Sequence, residues 1–237
     1  MSVAVAIVCK TPAPGQSKTR LSPPLRPEDC AEISACFIKD LAQTVDLLTV
    51  DDAVGCAVYT PRGSENALRR LLPVSFELTL QSDGDLGARL LQGTIDLLGR
   101  QHEGVVLVNS DSPTLPLLIL QDAVAAVRGG DCVVLSPAYD GGYTLIGLSK
   151  PHARLFTDIP WSTSAVYELT VARAREIGVR VVNVPGWYDV DDATSLQMLE
   201  DELAGRHLPF LRGTGAPAAA TRAFLAKRTK ASAGSGT

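Results

Sequence analysis

The seven residues Val3–Cys9 (VAVAIVC) are apolar on both faces of an extended chain. A β-branched run of that kind leaves no side for water and reads as a buried central strand. Further strand-like runs follow at Ala53–Tyr59, Phe76–Gln81, Gly104–Val108, Asp131–Ser136, Tyr143–Leu148 and Val179–Val184. Among them lie segments with helical character, Pro27–Val50, Ser64–Leu71, Leu86–Leu98, Leu117–Val127, Ser164–Glu176 and Ala193–Leu203. In the first of these, Ile33, Phe37, Ile38, Leu41, Val45 and Leu48 recur at helical spacing, and Pro27 with Glu28 and Asp29 makes a favourable helix start. Strands alternating with helices imply crossover units, hence an α/β domain with a mainly parallel central sheet and helices on both faces. Ligands of such sheets bind beyond the carboxyl ends of the strands. The loops there are the place to look for chemistry.

At 237 residues the chain can bury roughly 70% of its unfolded surface without staples. Its formal net charge of −4 argues against nucleic-acid or anionic-membrane partners. The charge is unevenly spread. Residues 1–27 hold four Lys/Arg and no acid, residues 213–237 likewise, and the middle keeps 14 Lys/Arg against all 26 Asp/Glu. The five cysteines, Cys9, Cys30, Cys36, Cys56 and Cys132, contain no C-x-x-C pair and read as small buried hydrophobes of a reducing compartment. With no secretory signal pattern and no apolar stretch near 20 residues, the expected location is the cytoplasm. Residues 1–212 are read as the folded domain. The Ala/Gly/Ser-rich tail 213–237 is expected to be a mobile extension with at most one short helix around Thr221–Lys230.

Four loops carry candidate chemistry. The first, Lys10–Leu21 (KTPAPGQSKTRL), follows the first strand, and sets Lys10, Lys18 and Arg20 around a turn at Gly15. Cations beside exposed backbone N–H groups make an anion cradle, with phosphate as the obvious occupant. It is neither a Walker A loop nor a G-x-G-x-x-G turn. The second, Val106–Pro116, runs from a strand into Asn109-Ser110-Asp111. A carboxylate there suits a hard divalent cation, although Asp-Ser-Pro is also an ordinary turn or cap. The third, Trp187–Leu196, offers Asp189, Asp191 and Asp192. Alternation would place Asp189 and Asp191 on one side, while one of the three caps the next helix. Carboxylates gathered in this way repel unless a cation sits among them. The fourth pairs Gln81–Leu90, with Asp83, Gly84 and Gly87, and Pro137–Leu148, with Asp140 before Gly141-Gly142. These glycines suit close approach of backbone to a base or substrate, and Asp140 is the candidate general base. His102, His152 and His207 have no evident catalytic setting, and G-x-S-x-G is absent.

Together, K-x₇-K-T-R-L, D-G-D-L-G-x-R-L, S-D-S-P-T-L-P, D-G-G-Y-x-L-I-G-L, W-S-T and D-V-D, in that order from about Val3 to Leu203, resemble a bacterial family of nucleotide-diphospho-sugar-transferase-like proteins. That family has the GT-A fold and is described as glycosyltransferase-like, with some members associated with arsenosugar biosynthesis. The resemblance implies a GT-A architecture and an activated nucleotide. It also implies Mg²⁺ or Mn²⁺ at Asp111 and around Asp191, with Asp189 as a further ligand. The nucleotide and its phosphates would meet Lys10, Gly15, Lys18, Arg20, Asp83 and Gly84, while Lys18, Arg20 and Asp140 serve the chemistry. Many members of the fold carry D-x-D where this chain has Asn109-Ser110-Asp111. The stretch KTRLSPPLRPED is similar to the opening of 2-phospho-lactate guanylyltransferase. Two reactions therefore stand open. One is glycosyl transfer from a nucleotide-diphospho-sugar to a small acceptor. The other is nucleotidyl transfer from a nucleoside triphosphate with pyrophosphate release. A non-catalytic nucleotide-binding protein is the third reading.

Overall fold

The computed structural model describes residues 2–48, 52–209, 211 and 213–234. Seven strands form one sheet: β1 (Val3–Lys10), β2 (Ala53–Thr60), β3 (Glu77–Leu80), β4 (Gly104–Asn109), β5 (Cys132–Pro137), β6 (Tyr143–Leu148) and β7 (Arg180–Asn183). Their order is β3-β2-β1-β4-β6-β5-β7. All neighbouring pairs are parallel except those made by β6, which runs against both β4 and β5. The reversal follows from the connection. Only Ala138–Gly142 separates β5 from β6, and a parallel crossover needs a dozen residues or more.

The helices are α1 (Pro27–Asp46), α2 (Glu65–Arg69), α3 (Leu86–Leu98), α4 (Leu117–Arg128), α5 (Val166–Glu176), α6 (Ala193–Leu203) and α7 (Ala219–Gly234). The expected first helix ends at Asp46; Thr49 and Val50, in its last turn, lie outside the described residues. Strand β1 shows why both faces must be covered. Val3, Val5 and Ile7 pack with Phe37 and Leu41 of α1, Ile119 of α4 and Leu199 of α6. Ala4 and Ala6 join Leu90 and Leu97 of α3 and Val171 of α5. Each side chain of Leu or Phe size buried in this way stabilises the fold by about 1.5–3 kcal/mol. All five cysteines are free thiols, and all but Cys36 are buried.

The C-terminal segment carries a helix longer than the short one expected around Thr221–Lys230. Helix α7 docks against α1 and buries Thr221, Phe224 and Leu225. Its first turn is capped from a distance, because Asp40 of α1, only 3% exposed, accepts the backbone N–H groups of Ala220 and Thr221 at 2.8 Å each. Those N–H groups have no partner within the helix. A buried carboxylate therefore settles the helix end and anchors the tail together.

Candidate active site

Strands β1 and β4 lie side by side at the centre, with their connections leaving in opposite directions along the sheet. A crevice opens beyond their carboxyl ends at such a point. The loop after β1 and the loop after β4 meet there. The segment after β7 crosses toward them: Val184 N donates to Leu135 O at 3.0 Å, Trp187 N to Pro137 O at 3.1 Å and Val190 N to Asp111 O at 2.9 Å. Those bonds carry Asp191 across the sheet end to the β1 loop.

Lys18 is the meeting point. Its side chain is 8% exposed, and its ammonium lies 2.6 Å from Val190 O, 2.7 Å from Asp191 Oδ1 and 2.8 Å from Asp111 Oδ1. An ammonium has three protons, and here three protein oxygens take them. Burial pulls Lys18 toward the neutral form, but the charges and hydrogen bonds of Asp111 and Asp191 outweigh it, so its pKa is raised. Lys18 thus places one positive charge between the two carboxylates. Lys18 sits in the left-handed region at φ 49°, ψ 39°, where non-glycine residues are uncommon and which marks a constrained position.

Arg20, 73% exposed at its side chain, donates through Nη2 to Asp191 Oδ2 at 2.9 Å. Lys10, also exposed, reaches Gln16 O at 3.4 Å. All three cations border one polar cavity of about 300 Å³, Lys10 and Arg20 exposed and the Lys18 side chain buried among its oxygens. Ser17, Ser110, Asp111 and Asp191 line it with them. A second cavity of about 310 Å³ shares Arg20, Asp111 and Asp191 with the first. It is walled by Leu86, Leu90, Tyr143 and Trp161, with Asp140 and Asp189 at its polar side.

The remaining predicted residues separate. Asn109 Oδ1 accepts Ser112 Oγ–H at 3.0 Å and Asp111 N–H at 3.3 Å. The amide in the D-x-D slot thus folds its own loop. Asp192 caps α6 by accepting Ser195 N–H at 2.8 Å, and Ser195 Oγ accepts the N–H groups of Asp191 and Asp192 at 2.9 and 3.0 Å. Asp189 is pushed up to about 7, first by burial and then by the charges of Asp140, Asp191 and Asp111. Lys18 gathers Asp111 and Asp191. Asp189 is not drawn in to form with them a set of three carboxylates within 4.8 Å of one another.

Gly15 (φ +69°) is an exposed turn residue, and Asp83 and Gly84 (φ +114°) are exposed at the start of α3; none of the three lines either cavity. Two glycines assigned to ligand approach serve chain packing instead. A Cβ on Gly87 would lie 2.4 Å from Phe156 O, and one on Gly141 would lie 2.2 Å from Ser164 O. Asp140 is exposed, its Oδ1 accepting Gly142 N–H at 2.8 Å. Sequence reasoning missed the second cavity's wall, Trp161-Ser162-Thr163 with Leu86 and Leu90. Its visible signals were the W-S-T motif and the two leucines of D-G-D-L-G-x-R-L.

Oxygen donors on Asp111 and Asp191 suit Mg²⁺ or Mn²⁺, which takes one or two carboxylates and completes its shell with water and substrate phosphates. The donor chemistry fits such a cation.

The architecture is that of the nucleotide-diphospho-sugar transferase fold. A protein from Desulfovibrio desulfuricans G20 described as a "putative nucleotide-diphospho-sugar transferase" superposes with a TM-score of 0.82 at 28% identity, over 97% of this chain and 96% of that one. The chain belongs to the family described as "Uncharacterized protein conserved in bacteria (DUF2064)", matched over residues 29–163. More distant likenesses show the fold alone. A CMP:2-keto-3-deoxy-manno-octonic acid synthetase solved with CTP has a TM-score of 0.56 at 10% identity, covering 86% of this chain and 99% of its own. A 4-diphosphocytidyl-2C-methyl-D-erythritol synthase from Anaerococcus prevotii DSM 20548 has a TM-score of 0.57 at 10% identity, covering 86% and 96%. No curated protein matches the chain. Among the described residues no helix is long and apolar enough to cross a membrane.

Proposed function

We propose that this chain is a metal-assisted transferase that moves a sugar from a nucleotide-diphospho-sugar to a small acceptor. The observation that carries the reading is the pair of cavities sharing Arg20, Asp111 and Asp191, with Lys18 locking the two carboxylates at the shared wall. The likeness to the Desulfovibrio protein over nearly the whole length of both chains supports it. The polar cavity takes the diphosphate, with Lys10 and Arg20 as its cations. The second cavity, with its apolar walls, takes the sugar and the acceptor. Asp111 and Asp191 would hold Mg²⁺ or Mn²⁺, which when bound neutralises charge on the diphosphate. Lys18 acts by position: it fixes both carboxylates and spends its protons on the protein. Asp140 keeps Oδ2 for an acceptor hydroxyl. The hydroxyl's proton passes to Asp140 as the hydroxyl oxygen's electron pair forms the bond to the sugar carbon, and the bond from that carbon to the diphosphate breaks to release a nucleoside diphosphate.

A second reading, nucleotidyl transfer, is favoured by one feature: the cation-rich β1 loop itself floors the polar cavity. There the same cations would stabilise charge on an α-phosphoryl group as pyrophosphate leaves. Incubation with Mn²⁺, nucleoside triphosphates, nucleotide sugars and candidate acceptors separates the readings. Acceptor-dependent release of nucleoside diphosphate is the expected result. Pyrophosphate release would replace it with the second reading, and binding without turnover in every combination would overturn both.

A further inference from the structure

A second cluster lies toward the other end of the sheet, away from the cleft. Cys56 of β2 and Glu77 of β3 are direct partners across the parallel ladder, so their side chains leave the sheet together on one face. His102, in the turn between α3 and β4, faces them. Cys56 Sγ, a ring nitrogen of His102 and a Glu77 carboxylate oxygen all lie within 4.8 Å of one another, and His102 Nε2 is 3.8 Å from Glu77 Oε2. Cys56 is fully buried, and the His102 side chain is 6% exposed. His102 Nε2 is buried without a hydrogen-bond partner, which native interiors seldom leave unexplained. The other ring nitrogen, Nδ1, is 2.9 Å from Ser2 Oγ.

We propose that Cys56 Sγ, His102 Nε2 and the Glu77 carboxylate bind a zinc-type divalent cation that clamps the edge strand β3 to β2 and to the turn entering β4. Thiolate with imidazole selects a borderline-soft ion over the magnesium-type ion that suits Asp111 and Asp191, so the two sites differ in chemistry. Ser2 Oγ accepts the Nδ1 proton, which fixes the tautomer and leaves the Nε2 lone pair facing the ion. As the metal–sulfur bond forms, the thiol proton leaves to solvent. Thiolate and carboxylate then balance the charge of the cation, and nothing is oxidised or reduced. Bonds of about 2.0–2.3 Å require the three donors to close by roughly 1 Å. Glu77, first residue of an edge strand and 41% exposed, has the freedom to do so. Arg100 Nη1 lies 3.2 Å from Glu77 Oε2, the same oxygen that faces His102 Nε2, so binding the ion shifts that carboxylate away from Arg100.

The full-length, metal-free chain titrated with Co²⁺ tests the site through the thiolate-to-cobalt charge-transfer band. The band is expected to saturate at one equivalent and to be displaced by Zn²⁺. It should persist in the D111N/D191N variant and vanish in Cys56→Ser and His102→Gln. Ser2→Ala, which removes one half-buried hydroxyl, should keep the fold and weaken Zn²⁺ binding about 10- to 100-fold. No band in the wild-type chain, or a band surviving Cys56→Ser, overturns the proposal. Should the Cys56 variant fail to fold, unchanged Zn²⁺ affinity in both Ser2→Ala and Glu77→Gln overturns it equally.

Discussion

Lys18 Nζ lies 2.7 Å from Asp191 Oδ1 across 173 residues of chain. The first loop of the protein and the loop after its last strand thus close the site together. Because all three ammonium protons are taken by protein oxygens, Lys18 and Arg20 should fail differently when replaced. Lys18→Met leaves Asp111 and Asp191 facing each other uncompensated. It is expected to lower kcat about 100-fold or more. It should also destabilise the fold by about 2 kcal/mol, less than a fully buried pair would lose because both carboxylates are about a third exposed. Arg20→Ala should raise KM for the nucleotide about 10- to 100-fold, the worth of one charge-assisted hydrogen bond, with a small change in kcat. Steady-state kinetics with urea denaturation checks both. Identical KM and kcat profiles for the two variants would show that Lys18 does not act by position.

Asp191 and Asp192 are neighbours with different work. Asp192→Ala removes the α6 cap and should cost about 1 kcal/mol, a Tm drop of roughly 2–4 °C for a chain this size. Activity should fall only modestly, because Ser195 Oγ still holds the Asp191 N–H. Asp191→Asn should leave Tm nearly unchanged or higher while abolishing turnover. Thermal scans beside activity assays settle the division, and equal activity losses in the two variants would refute it.

Much of this was legible beforehand, and the reasons the rest was not are physical. The seven strands and six of the helices announce themselves through apolar runs and 3.6-residue spacing, and Tyr143–Leu148, Leu86–Leu98 and Ala193–Leu203 begin and end where the pattern puts them. The strand-end loops that carry Lys18, Asp111, Asp191 and Asp140 do meet, since a mainly parallel sheet delivers such loops to one edge. What pattern cannot carry is the partner of a charge. Nothing local in KTR says that Lys18 faces two aspartates, or that Asp192 rather than Asp191 is the cap. A short helix around Thr221–Lys230 was read, but the docking of α7 was hidden because its anchor, Asp40, sits about 180 residues away. Its Ala-rich sequence also has too little amphipathic contrast to advertise a buried side. Gly87 and Gly141 were read correctly as sites of close approach, but the approaching group is the chain itself.

The Asp40 anchor makes its own prediction. Asp40→Ala strips both acceptors from the buried first turn of α7 and should destabilise the protein by about 2–3 kcal/mol. Asp40→Asn keeps one acceptor and should lose less. If the tail is docked as described, Asp40→Ala should also speed proteolysis near residue 219 while sparing the sheet. Limited digestion followed by mass spectrometry reads this directly, and an unchanged cleavage rate would argue that α7 is held by Phe224 and Leu225 alone.

Glu202 gives the protein a pH dependence of definite sign. Tyr188 Oη donates to Glu202 Oε2 at 2.5 Å, and Gly215 packs so closely that a Cβ there would strike Oε1. Burial raises the Glu202 pKa above the ordinary glutamate value, with the Tyr188 and Thr114 hydrogen bonds and the charge of Arg222 offsetting only part of it. The folded state therefore holds this proton to higher pH than the unfolded chain does. Between the unfolded and folded pKa values the native state binds more protons, so the contribution of Glu202 to stability declines as pH rises through that window. Glu202→Gln keeps an acceptor for Tyr188 and removes the titration. Its stability relative to wild type should therefore improve steadily from about pH 4 upward and then level off. Urea denaturation at several pH values measures the difference. A difference that stays constant with pH would mean that Glu202 titrates alike in both states, and a variant that loses stability relative to wild type as pH rises would reverse the sign argued here.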